Sequence, residues 1–275
     1  MTSIRTVEVG RVEAQTRSRR ADDVVVEEPL EIRIAGDPIA TTMRTPGDDR
    51  ELVLGFLWAE GIIRSPDDVT KLAHCGRPGE PGTENTIDVV LVSGITLPEH
   101  LEAGGLARRG TIITSACGVC GRRSIDDLLE RFVPLPAPTI AAVSARVIAE
   151  AMAGLRGRQP IFDRTGGCHA ASLVSFDGAP IATFEDVGRH NAVDKVIGSR
   201  VRANALPISD AMLLVSGRAS FEIVQKAIAA RIAVIASVSA PSSLAVELAQ
   251  RGNATLVGFV RGEKMTLYSG AERIA

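Results

Sequence analysis

From Val187 to Val260 the sequence alternates helical and strand periods: helix over 187–200, strand Ala211–Val215, helix Phe221–Arg231, strand Ala233–Val238, helix Ser242–Arg251, strand Thr255–Val260. The three strands are short, apolar and separated by helices. That pattern demands a parallel sheet covered on both faces, because parallel neighbours need a crossover and the crossover is a helix. Upstream, Ile140, Val143, Val147, Ala151 and Leu155 recur near helical spacing over 139–156. Two strands follow, Ala170–Phe176 and Ile181–Phe184, joined by the hairpin signal Asp177-Gly178. Residues 139–275 therefore read as an α/β unit.

The earlier half has a different rhythm. Residues 1–22 mix arginines with polar residues without a sustained apolar period, which predicts a disordered tail. Alternation then begins at Val24–Val26 and continues through Leu30–Ile34 and Ile39–Met43, an antiparallel hairpin turned at Gly36-Asp37-Pro38. Asp48 to Glu51 reads as a capping box opening a helix through Leu52, Val53, Phe56 and Leu57, closed by Gly61. Ser65-Pro66-Asp67-Asp68 starts a shorter helix, and Ile87–Val92 is a strand. The stretch Pro134-Leu135-Pro136-Ala137-Pro138 can continue neither a helix nor a central strand, so the boundary is placed there. The expected organisation is a tail over 1–22, an α+β domain over 23–138 and an α/β domain over 139–275.

Composition narrows the function. Aromatic residues are only 3% of the 275, so Val, Ile, Leu and Ala must fill the core. A net charge of −2 gives no general case for nucleic acid or a membrane surface. No apolar run reaches the roughly 18 residues needed to span a bilayer, and no signal-peptide core opens the chain, so a cytoplasmic protein is expected. Four cysteines are too few for a disulfide scaffold and suit a reducing compartment.

Two of them stand close together, in Thr114-Ser115-Ala116-Cys117-Gly118-Val119-Cys120-Gly121-Arg122. Arg122 and Arg123 follow, and Ser124 reads as the N-cap of a helix through Ile125, Leu128, Leu129 and Phe132. Positive charge and a helix N-terminus both lower a thiol pKa, and the glycines leave the sulfurs accessible. The motif alone also fits half a zinc site, a redox dithiol or two packed thiols.

Beyond the carboxyl ends of the parallel strands, helix N-termini present free N–H groups, and ligands of open α/β sheets bind there. Three loops fall on that edge: Ser216-Gly217-Arg218-Ala219-Ser220, Ser239-Ala240-Pro241-Ser242-Ser243, and Phe259-Val260-Arg261-Gly262-Glu263-Lys264. They offer hydroxyls, amides and cations suited to a phosphorylated or nucleotide-like ligand; the plainer reading makes Ser220 and Ser242 helix caps and Arg218 a solvated side chain. Two further clusters are Thr165-Gly166-Gly167-Cys168-His169-Ala170 and Glu185-Asp186-Val187-Gly188-Arg189-His190-Asn191. No GxxxxGK[ST] or GxGxxG occurs, so neither an NTPase nor a dinucleotide dehydrogenase is supported.

The order of elements after residue 139 resembles the cytidine-deaminase-like fold, which implies a three-layer α/β/α domain with a mixed sheet. Deaminase chemistry is not expected: the cysteine pair precedes this half, and neither His169 nor His190 has a glutamate two residues on. Taken together, Cys117-Gly118-Val119-Cys120-Gly121, Thr165 to Ala171, Glu185 to Ala192, Ser216-Gly217-Arg218 and Gly258-Phe259-Val260-Arg261 resemble the FdhD family of formate dehydrogenase accessory sulfurtransferases. The resemblance runs from about residue 24 to the end. It implies a cytoplasmic, homodimeric sulfur carrier that takes persulfide sulfur from a cysteine desulfurase. The sulfur goes to the bis-guanine-dinucleotide molybdenum cofactor before that cofactor enters formate dehydrogenase. Carried over by residue, Cys117 bears the persulfide with Cys120 beside it, and Phe259 to Lys264 contact the cofactor. Arg189, His190, His169, Arg218, Ser220 and Ser242 join that site on their own chemistry, with GDP as a mimic of half the ligand.

Two other readings use the same residues. In one, His74 and Cys75 complete a structural zinc site with Cys117 and Cys120; in the other, the sheet edge holds cofactor and the cysteines are dispensable.

Overall fold

The computed structural model describes residues 2–14, 16–76, 82–97, 133–137 and 143–275. The first finding corrects the expected tail. Ile4–Glu13 (β1) and Thr16–Val25 (β2) pair as an antiparallel ribbon from Ile4↔Val25 to Glu13↔Thr16. Its β-branched residues favour strand, but with both faces largely in water it has no core face to leave an alternating signal. The base is tied down by Val26 N–H to the Ser3 carbonyl at 2.9 Å and by the Arg164 guanidinium on Asp23.

Glu28–Ile34 (β3) and Asp37–Arg44 (β4) form the expected hairpin. Val69–His74 (β5), not anticipated, and Thr86–Leu91 (β6) complete a four-stranded sheet in the order β4-β3-β6-β5. Its buried face, Leu30, Ile32, Ile87 and Val89, joins the core that also holds Leu52, Val53 and Leu57 of α1 (Asp49–Ala59). The capping box predicted there is absent: Asp48 sits at φ 55 and its side chain caps nothing. Asp49 instead receives the fully buried Arg44, Nε to Oδ1 at 3.0 Å and an Nη to Oδ2 at 3.1 Å. The Ser65 box does form, but it caps one 3-10 turn, Pro66–Asp68, because Val69 is already extended.

In the C-terminal half, α2 (Ala145–Leu155) starts later than its periodicity predicts. Ser144 is the N-cap, accepting from Val147 N–H at 3.3 Å, and Val143 is drawn into a bridge with Ile274. A short α3 (Pro160–Thr165) follows, then β7 (His169–Ser175), β8 (Pro180–Asp186), α4 (Arg189–Arg202), β9 (Ala211–Val215), α5 (Phe221–Ala229), β10 (Val234–Ser237), α6 (Ser243–Arg251), β11 (Thr255–Arg261) and β12 (Lys264–Ser269). The strands form one six-stranded sheet in the order β12-β11-β10-β9-β7-β8, with β9, β10 and β11 parallel and the rest antiparallel. Side-chain alternation sorts its faces. Leu173, Leu213, Ile235 and Leu256 share a core with α4, α5 and α6, while Val174, Leu214, Ala236 and Val257 pack with Ile148, Met152 and Leu155 of α2. The three-layer α/β/α unit with a mixed sheet is thus present.

The two halves share a core. Helices α1 and α4 cross so closely that a β-carbon on Gly55 would lie 1.9 Å from the Asp194 carbonyl oxygen, and one on Gly198 1.8 Å from that of Glu51. The proline stretch is bound along the C-terminal half: Leu135 is buried, its N–H meets the Gly252 carbonyl at 2.9 Å, and Arg273 reaches the Pro136 carbonyl at 2.7 Å. No helix among the described residues is long and apolar enough to cross a membrane.

Candidate functional site

The site begins with a buried carboxylate. Asp186, at the end of β8, is fully enclosed and pairs with Lys195 Nζ of α4 at 2.9 Å. Its oxygens also accept Thr45 N–H at 3.1 Å, Gly188 N–H at 2.8 Å and Asn191 Nδ2 at 3.0 Å. Strand, turn and helix start are thereby locked to β4, which fixes where Arg189 and His190 leave the backbone.

His190 is buried, and its Nε2 lies 2.8 Å from Ser220 Oγ and 2.8 Å from Glu222 Oε2. The N-termini of α4 and α5 are therefore held together by side chains. Gly188 and Ser220 occupy the N-cap positions, and neither supplies a side-chain cap. Ser220 is thus a cap by position only, with its hydroxyl spent on His190. Ser242 is a true cap, accepting from Ala245 N–H at 3.3 Å.

His169 enters from β7 beside the β9 loop. A β-carbon on Gly217 would come within 3.1 Å of His169 Nδ1 and 3.8 Å of Arg189 Cδ, so the glycine lets the imidazole pack close against the β9 loop. Burial, then the charges of Arg189, His190 and Arg218, lower the His169 pKa and favour neutral imidazole. Burial and the neighbouring Arg218 likewise pull Arg189 below its usual range. Arg189 Nε is buried without a partner, and among the described residues neither Arg189 nor exposed Arg218 forms an ion pair. Two guanidiniums and two helix N-termini converge here, an arrangement suited to an anion.

The remaining loops line up beside this focus. Ala219 bridges to Pro241, Ser242 N–H meets the Ala219 carbonyl at 3.0 Å, and Phe259 N–H meets the Ser239 carbonyl at 3.2 Å. The third loop corrects the sequence reading, because no helix follows it. Phe259 and buried Val260 lie at a register shift near the end of β11, whose last residue, Arg261, is in register with Lys264 at the start of β12; exposed Gly262 and Glu263 form the turn between them. Cations there lack a helix N-terminus and sit on a hairpin tip. Phe259 itself is 42% exposed at φ 53, a left-handed conformation unfavourable to a bulky residue and typical of functional positions.

Cys117 and Cys120 lie outside the described residues, as does the helix expected from Ser124. Cys75 is half-buried, and His74 Nε2 approaches Asp49 Oδ2 at 3.7 Å.

A profile of the FdhD/NarQ family matches residues 25–275. The chain belongs to the FdhD/NarQ family. A relative named sulfur carrier protein FdhD, from Anaeromyxobacter dehalogenans strain 2CP-1, is 57% identical over 260 residues, covering 92% of this chain and 88% of that protein. Another of the same name from Mycobacterium tuberculosis is 48% identical over 263 residues, covering 93% and 92%. In structure, the chain is similar to a Desulfotalea psychrophila protein assigned as a formate dehydrogenase accessory protein, with TM-score 0.76, 25% identity and complete coverage of both chains.

In this member of the FdhD/NarQ family, sequence reasoning missed Glu222, Lys195 and the anchoring role of Asp186. An acidic residue in the first turn after Ser220 was the one visible hint for Glu222; Lys195 carried no local signal.

Proposed function

We propose that this chain is a sulfur carrier serving formate dehydrogenase. The observation that carries the reading is its match, across nearly the whole length of each partner, to relatives named as sulfur carriers. In finer detail, a cysteine desulfurase in the cytoplasm presents a persulfide and the Cys117 thiolate attacks its outer sulfur. The donor S–S bond breaks, the donor leaves as thiolate, and Cys117 holds the persulfide. Cys120 gives the sulfur a way out. Its thiolate attacks the inner sulfur and expels hydrosulfide, leaving a Cys117–Cys120 disulfide, so the sulfane sulfur is reduced as two thiols are oxidised. The substrate that accepts the sulfur is the bis-guanine-dinucleotide molybdenum cofactor.

Support for a phosphate-bearing acceptor comes from the convergence of Arg189, Arg218 and two helix N-termini, with Phe259 two strands along the sheet as an exposed aromatic surface. GDP is the corresponding probe, and a homodimer would present two such sites to the two guanines. Intact-mass analysis after incubation with a cysteine desulfurase and cysteine tests the carrier step. A gain of one sulfur, about 32 Da, is expected on wild type and not on Cys117→Ala. Label retained by that variant would move the persulfide to another cysteine.

A further inference from the structure

A cavity of about 420 Å³ opens on the α2 side of the sheet, within the range of small-ligand pockets. His169 and Ser216 border it, but its other walls belong to elements the anion cluster does not use. Met152, Leu155, Phe162 and Val238 make most of it apolar. The Arg156 guanidinium lies 4.2 Å from the Phe162 ring centroid and pairs with Asp163 at 2.9 Å, so its charge is already matched. Among the described residues no carboxylate lines the space. Glu185 lies behind Cys168 and is fully engaged, accepting Ile161 N–H at 2.9 Å, Phe162 N–H at 2.8 Å and the Cys168 thiol at 3.2 Å. Burial and Glu185 push the Cys168 pKa far up and keep it a thiol, and His169 is held toward the neutral form. The interior carries no net charge.

Gln159 stands out against this background. It is only 5% exposed and borders the cavity. Its backbone is satisfied, N–H to the Arg156 carbonyl at 3.2 Å and carbonyl from Asp163 N–H at 2.9 Å. Its side-chain amide has no hydrogen-bond partner among the described residues. The amide's polar atoms are not sealed from solvent, and they offer a donor and an acceptor side by side at the cavity wall.

We propose that this cavity binds a small, uncharged, planar heterocycle bearing adjacent donor and acceptor groups, with Gln159 reading that edge and Phe162 and Met152 packing against the ring. The assignment goes beyond the sulfur-carrier reading and does not depend on it.

The full chain is titrated with 2-quinolinone, a bicyclic lactam with such an edge, and with quinoline, which has nearly the same shape but only an acceptor. On wild type, 2-quinolinone should bind at least about tenfold more tightly, the effect of one well-placed buried hydrogen bond. Gln159→Leu should remove that preference by weakening 2-quinolinone more than quinoline, and retained quinoline binding shows that the pocket still forms. Gln159→Met, closer in shape, provides the same comparison if the leucine variant does not fold. GDP affinity should be unaffected in either variant, which separates this pocket from the anion cluster. Failure of both compounds to bind, or equal affinities on wild type, would show that the cavity holds only water and overturn the proposal.

Discussion

Lys195 is 1% exposed and Asp186 is completely buried, so Lys195→Met leaves a carboxylate inside the protein without its counter-ion. Breaking a buried ion pair from one side costs about 3–5 kcal/mol. Two features of the site adjust that figure in opposite directions. Asp186 keeps three other hydrogen bonds, from Thr45, Gly188 and Asn191, which partly replace the lost solvation. Lys195 also donates to the Thr45 carbonyl at 3.1 Å and the Glu185 carbonyl at 3.3 Å, and both lose a partner. The effects roughly offset, leaving an expected loss near ~4 kcal/mol. For a chain of this size that corresponds to a Tm lowered by about 10 °C. Urea unfolding with fixed m-value is the quantitative assay, with the melt as a check. Adding Asp186→Asn should restore part of the loss, because the asparagine oxygen still accepts backbone N–H groups but carries no charge. A single variant within about 1 kcal/mol of wild type, or a double variant weaker than the single, would refute the view that this pair holds the two halves in register.

Gly198→Ala places a β-carbon on the Glu51 carbonyl oxygen and 2.7 Å from Gly55 N, backbone that cannot move aside. The loss should exceed the roughly 1–3 kcal/mol of ordinary overpacking, whereas Gly157→Ala, with nothing within 4 Å, should melt like wild type. Burial raises the Asp194 carboxyl pKa to about 6 despite Lys226 Nζ at 2.7 Å. The folded state then binds a proton more readily than the unfolded state, whose carboxyl titrates near 3.8. Stability from this group is present below about pH 4 and lost as pH rises through about 6. Asp194→Asn should flatten that window in pH-dependent denaturation, and an unchanged slope would assign it elsewhere. For the anion cluster, Arg189→Ala and Arg218→Ala should each weaken GDP by roughly tenfold or more in calorimetry, and Arg261→Ala by less, since Arg261 sits on a hairpin tip. A larger effect at Arg261 would move the ligand along the sheet edge.

The parallel strands were legible because each is buried on both faces and so reads as an apolar run, as Ala211–Val215 does. β12 was not, since an edge strand carrying Lys264, Thr266, Tyr268 and Ser269 needs only one side covered and looks like loop. The site divides along the same line. Asp186 to His190 showed up as a polar run at a helix start, but the partners lie far along the chain, Ser220 and Glu222 holding His190 across the α4–α5 contact and Thr45 in the other half holding Asp186 and Val187. Most misleading was α4 itself. Asp194 and Lys195 look like ordinary surface charges, and their adjacency suggests that one of them must face solvent. In the structure both are buried, because the six-stranded sheet covers one side of α4, while α1 lies so tightly against another that glycine is required at the crossing. Each charge then has to find its partner on a different element, Asp194 on α5 through Lys226 and Lys195 on β8 through Asp186. Local periodicity shows that a helix has a polar face; whether that face meets water is decided by the elements that pack on it.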